Sequence, residues 1–246
     1  MTKKQYFYLL WTLSSIPTVI GIILTFTTGE YLNVGDDPEA LRASTGIVFS
    51  IALGVLEIMF RGFLVTIGLY FAERIGAPFL LLNDNYDLKK DILKPAIIVG
   101  TVVSCIVVAI DTASPFELFS FPGELPGPFY GTLISLVNCI VYDVNLLLLW
   151  IAGLALLIKK VTNNADMDLI VYTSIVLIAF LFNMSSPIWH FGITAFIIGP
   201  MIRSGIDVVL GVLFWKKGFE TAVLCHLVMI LIFYLIAPMA MNFIAA

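Results

Sequence analysis

The chain has 246 residues, of which 60% are hydrophobic and only 12% charged, about half the charged share of an ordinary soluble domain. Its mean hydropathy of +1.04 and its repeated apolar runs, each long enough to cross ~30 Å of hydrocarbon, exclude a soluble globular protein. The formal net charge is −4, but in a polytopic membrane protein the placement of Lys and Arg matters more than their total.

The first predicted span runs from about Phe7 to Thr28, with Pro17 expected to kink it. Lys3 and Lys4 precede an apolar run too long for a signal-peptide core, and no small-residue cleavage site follows, so the segment reads as a span. An acidic loop follows (Glu30, Asp36, Asp37, Glu39), then a second span from about Gly46 to Ala72 that contains Glu57 and Arg61. A mixed-charge loop from Glu73 to Lys94 leads to a third span centred on Ile97 to Ile110. The loop Asp111 to Pro128 has four prolines and no Lys or Arg.

Span four starts near Tyr130 and ends at Lys159-Lys160; span five covers about Leu169 to Met184. Ser185-Ser186-Pro187 then breaks the helix. Gly199-Pro200 and Arg203 interrupt Ile188 to Phe214, which reads as two short spans with a turn near Arg203. A final span runs from Phe219 to about Phe243, after the turn Lys216-Lys217-Gly218. The expectation is an all-α bundle of about eight transmembrane helices, seven if Ile188 to Phe214 crosses once, forming one integral membrane domain over 1–246. Basic residues cluster at the N-terminus and after spans two and four, which puts the N-terminus in the cytoplasm of a multi-pass cell-membrane protein. With eight spans, Lys216-Lys217 violate that pattern.

Polar groups inside spans carry the functional reading. The only two histidines, His190 and His226, both lie in apolar segments, where an imidazole is costly unless it faces protein or water. Glu57 and Arg61 are four residues apart and can pair on one helical face. Asn138, Tyr142 and Asn145 form an inward polar stripe on span four, with Asp143 offset by one residue. A lone intramembrane carboxylate such as Asp143 needs a cation or a proton. Asp207 follows Arg203 by four residues and can pair with it. A cleft lined by Asn138, His190, Asp207 and His226 fits the order of the spans. Cys105, Cys139 and Cys225 all fall in apolar spans and read as buried free thiols whose spacing matches no zinc pattern. Two histidines with no carboxylate at ligand spacing do not make a zinc site, so neither a metal nor another cofactor is expected.

The stretches IWHFG (188–192) and IDVVLGVLFWKKGFETAVLCHLVMI (206–230) resemble the CPBP family: type II CAAX prenyl proteases and bacteriocin-processing or bacteriocin-immunity membrane proteins. LYFAERIGAPFLLL (69–82) and PFYGTLISLVNCIVYDVNLLLLW (128–150) extend the likeness over most of the chain from Leu69, with the protease-like region at about 129–246. The resemblance implies an intramembrane endopeptidase in which a Glu activates water while histidines and an Asn stabilise the oxyanion. It sets His190 at the second-motif histidine and His226 at the third. The chain departs from the pattern elsewhere. Ser135 and Leu136 stand at the two Glu positions and Ile140 at the Arg; in a register three residues along, these become Asn138, Cys139 and Asp143. Ser186 replaces the Phe of FxxxH, and Ile230 the final Asn or Asp. A rival alignment of LEIMFRGFL (56–64) with the EE-x-x-x-R-G motif makes Glu57 the second Glu and Arg61 the Arg.

Three functions follow. The first is an active endopeptidase using His190, His226 and Asn138 with a displaced carboxylate, whether Asp143, Glu57 or Asp207, on a membrane-associated, prenylated or leader peptide. The second is a degenerate member that binds a membrane peptide or protein without cutting it, as in bacteriocin immunity or scaffolding. The third is a small-solute transporter with Arg203, Asp207 and the Gly199-Pro200 break lining a path. The bilayer is the common partner, and no nucleic acid is expected.

Overall fold

The computed structural model describes residues 1–28, 38–83, 86–113, 135–136, 138–162, 166–184 and 192–236, with side chains given outside 21–51, 111–113 and 192–197. These residues form helices and no strand. In chain order they are α1 (Lys3–Thr28), α2 (Pro38–Ile75), α3 (Lys94–Ala113), α4 (Asn138–Thr162), α5 (Met167–Met184), α6 (Gly192–Lys217) and α7 (Phe219–Leu231). Among the described residues, six helical segments are long and apolar enough to cross a membrane: Ala52–Ile75, Leu88–Ile110, Asn138–Thr162, Met167–Met184, Ile198–Lys217 and Phe219–Ile236. The chain is therefore an all-α membrane bundle, with six such segments among the described residues against the eight, or seven if Ile188 to Phe214 crosses once, that were expected.

One crossing of the difference lies in α6, and the other in the first predicted span, whose helix α1 is not among the six. Gly192–Lys217 is one continuous helix that contains Gly199, Pro200 and Arg203, not two short spans joined by a turn. Pro200 removes one backbone donor but does not end the helix, since membrane helices tolerate proline where their surroundings satisfy the freed carbonyl. A single crossing also returns Lys216-Lys217 to the face that holds the other basic ends. Contacts define that face. Lys3 pairs with Glu73 at 2.9 Å, Lys159 Nζ donates to the Arg74 carbonyl at 3.2 Å, and Lys216 pairs with Asp168 at 2.9 Å. All but Arg42, Arg61 and Arg203 of the thirteen Lys and Arg residues belong to helix ends and turns on this face.

The same face is pinned by Glu220, on the first turn of α7. Its Oε2 accepts from Leu80 N at 3.1 Å and its Oε1 from Leu81 N at 3.0 Å. A carboxylate there also suits the positive end of the helix. Gly218 makes the tight entry to α7 with φ +96, and a Cβ at that position would lie 3.1 Å from the Pro78 carbonyl oxygen. Both conformation and space therefore demand glycine. Substituting Glu220→Ala leaves the Leu80 and Leu81 donors without their acceptor. The expected loss is about 1–3 kcal/mol of stability, measurable by denaturant titration of the purified protein.

Close helix contacts rest on small residues, as expected where apolar lipid supplies no hydrophobic drive between helices. On α2, Gly62 leaves room for the Trp11 ring, whose Nε1 donates to the Ile58 carbonyl at 2.7 Å. Gly68 seats Leu148 of α4, Gly100 of α3 faces the Cys225 carbonyl of α7, and Gly211 of α6 seats Ile175 of α5. The core these contacts enclose includes Leu146, Leu147, Leu148, Ile151, Ile175, Leu210 and Phe214, each fully buried.

Candidate functional site

The middle of α4 is not a regular helix. Val144–Ile151 winds as a π-helix, a widening found mostly as short bulges and often at functional sites. Asp143 is the residue immediately before it. Its side chain is fully buried, and Asp143 Oδ1 lies 2.9 Å from His226 Nδ1 of α7. His226 keeps 18% of its side chain exposed. Cys139, one turn earlier on α4 and itself buried, donates from Sγ to Asp143 Oδ2 at 3.5 Å. The two carboxylate oxygens are thus divided between an imidazole and a thiol.

A second carboxylate borders the first. Asp207 of α6 is buried, and its Oδ2 accepts from Tyr142 Oη and from Asn183 Nδ2, each at 2.7 Å. Tyr142 follows on the same helix as Cys139 and stands edge-on to the His226 ring, with centroids 5.6 Å apart. Asn183 of α5 also donates to the Ala179 carbonyl at 2.8 Å, which Ser204 Oγ reaches at 3.1 Å. Five side chains from four helices (Asp143, Tyr142, Asn183, Asp207 and His226) therefore form one polar centre. A buried polar group is tolerated when it is hydrogen-bonded, and each of these is.

Of the residues singled out by sequence, the structure brings together Asp143, Asp207 and His226. Tyr142 joins them, whereas Asn138, Asn145, Glu57 and Arg61 lie elsewhere. His190 lies outside the described residues, as does the Phe129-Tyr130-Gly131 segment. Asn138 is exposed at the first turn of α4. Glu57 pairs with Arg61, as their spacing allows, and Arg61 Nε donates to Thr18 Oγ1 of α1 at 3.1 Å. That pair belongs to the α1–α2 seam. The expected stripe on α4 is divided: Tyr142 reaches Asp207, whereas Asn145 lines a small cavity with Ser14 and Arg61. The π-helical stretch begins between them, so ordinary helical spacing misjudges their common face.

Sequence reasoning missed Cys139 and Asn183. The i, i+4 spacing of Cys139 and Asp143 was the available signal for one, and a lone amide in an apolar helix for the other. All three cysteines are free, as expected, but Cys105 is exposed rather than buried. An apolar neighbourhood along a span also describes a side chain facing lipid, which sequence does not separate from the core.

No protein-family model, curated protein or solved structure matches this chain. What the fold and site define is a polytopic membrane bundle with a buried carboxylate–imidazole centre.

Proposed function

We propose that the chain acts as a CPBP-like intramembrane endopeptidase, with Asp143 and His226 as its acid–base pair. The observation that carries this reading is the 2.9 Å approach of Asp143 Oδ1 to His226 Nδ1 inside the bundle. With Nδ1–H donating to Asp143, the imidazole presents its Nε2 lone pair as a base, and the buried carboxylate stabilises the imidazolium that forms. Nε2 takes a proton from a water, whose oxygen attacks the scissile carbonyl carbon. The same proton then passes to the departing amine nitrogen as the C–N bond breaks. His190, the other histidine of the resemblance, would stabilise the oxyanion. The substrate class is a membrane-associated peptide, prenylated or leader-like. The concentration of Lys and Arg on one face supports a cytoplasmic N-terminus in the cell membrane.

One observation favours a second reading, a binder that does not cut. Asp143 is held by Cys139 as well as His226, and Asp207 by Tyr142 and Asn183. A network so fully paired also serves as interhelical glue.

Cleavage of a panel of membrane and leader peptides by the purified protein in liposomes separates the two. The expected result is cleavage by wild type that falls about 10²–10⁴-fold in His226→Ala, with a similar loss in Asp143→Asn. Folded wild type that cuts nothing, or an Asp143→Asn variant that cuts at the wild-type rate, would overturn the endopeptidase reading.

A further inference from the structure

We infer that Cys139, Asp143 and His226 form a binding site for a divalent transition-metal ion of the zinc class. One ligand atom from each, the thiol sulfur, a carboxylate oxygen and an imidazole nitrogen, lies within 4.8 Å of the other two. His226 Nδ1 stands 2.9 Å from Asp143 Oδ1, and Cys139 Sγ 3.5 Å from Asp143 Oδ2. Tetrahedral zinc with bonds of ~2.0 to 2.3 Å holds such ligands about 3.3 to 3.6 Å apart. The imidazole and the thiol contact different oxygens of Asp143, and the remaining separations, none above 4.8 Å, contract to zinc spacing by about 1.2 Å at most through side-chain rotations at Cys139 and Asp143.

Charge favours occupancy. A thiolate and a carboxylate cancel the two positive charges of the ion, so the loaded site is neutral inside a membrane bundle, where net charge is expensive. Binding is balanced by release of the thiol proton to solvent, while the imidazole proton moves from Nδ1 to Nε2. Mixed sulfur, nitrogen and oxygen donors suit zinc rather than magnesium or calcium. The expectation of no metal came from spacing along the chain; Cys139 and Asp143 reach His226 from a helix 83 residues earlier. In the endopeptidase reading, on which this consequence alone rests, an ion held by Asp143 and His226 Nδ1 disables the acid–base pair, making zinc an inhibitor.

The test is a titration of the full chain in detergent with Cd²⁺, following the thiolate-to-cadmium ultraviolet absorption, with Zn²⁺ as competitor. The expected result is one equivalent bound by wild type and by Cys105→Ser, with the band abolished in Cys139→Ser. Asp143→Asn and His226→Ala should each weaken binding at least about tenfold, the minimum set by the effect of lesser, outer-shell partners. Gel filtration shows that each variant compared is folded. A Cys139→Ser variant that still binds one equivalent, or affinity unchanged in both Asp143→Asn and His226→Ala, overturns the site. Cleavage is read separately, each protein against its own zinc-free rate: with the metal site intact, added zinc lowers the rate of wild type and not that of Cys139→Ser, whereas no zinc-free cleavage by wild type rejects only the endopeptidase reading.

Discussion

Replacing Asp143 by alanine is expected to destabilise the bundle by about 2–3 kcal/mol. The carboxylate joins α4 to α7 through His226 and is itself fully buried. Its removal takes away an interhelical bond, worth about 0.6 and at most ~1.7 kcal/mol in membrane proteins. It also leaves the His226 Nδ1 and Cys139 Sγ donors facing a void, and incompletely collapsed voids add a cost of comparable size. Asp143→Asn keeps the volume and an amide oxygen that still accepts from the imidazole, so its expected loss is about 1 kcal/mol. SDS or thermal unfolding of the purified variants measures both. Equal losses in the two variants would mean that charge, rather than volume and hydrogen bonding, dominates at this position.

Gly68→Leu is expected to have a still larger effect, about 3 kcal/mol or more, and to prevent α2 and α4 from docking as they do. A Cβ at Gly68 would lie 2.8 Å from Leu148 Cβ and 3.3 Å from the Leu148 backbone carbon. Neither atom moves with a rotamer change, and Leu148 is fully buried, so the two helices must separate. Gly211 makes the informative comparison. Its added Cβ would meet Ile175 Cγ2 at 2.7 Å and Cγ1 at 2.9 Å, both side-chain atoms with some freedom to turn. Overpacking of this kind costs about 1–3 kcal/mol, while alanine regains about 1 kcal/mol of helix propensity over glycine. Gly211→Ala should therefore lose less stability than Gly68→Ala, and Gly68→Leu more than either. Unfolding titrations of the three variants give the order directly.

The fold was legible because apolar length and the absence of charge report directly on membrane helices. Met167–Met184 and the start of α7 at Phe219 fall within two residues of their expected limits. The misreading at α6 has a physical cause. Gly199-Pro200 is a helix breaker in water and Arg203 interrupts the apolar run, yet within a bundle a proline-containing helix continues, and the spacing of local signals does not convey that. For the site, Asp143 and His226 stood out singly as costly intramembrane groups. Their pairing joins positions 83 residues apart, and one sequence holds no record of which helices touch. Asp207 was legible as an unusual carboxylate, but its Tyr142 and Asn183 partners come from two other helices. Cys139 looked ordinary because its importance comes from the residue one turn later.

The widened stretch Val144–Ile151 sits between the polar first turns of α4 and the apolar segment Ala152–Thr162. Helical phase accumulates at about 100° per residue, so the two halves of α4 are set relative to each other by how many residues the bulge contains. Because a π turn advances less per residue than an α turn, winding the same residues regularly would swing Asp143 by on the order of 100° relative to the turns that follow. The bulge therefore acts as a phase adjuster: it lets one end of the helix satisfy packing against α2 while the other end aims a carboxylate at α7.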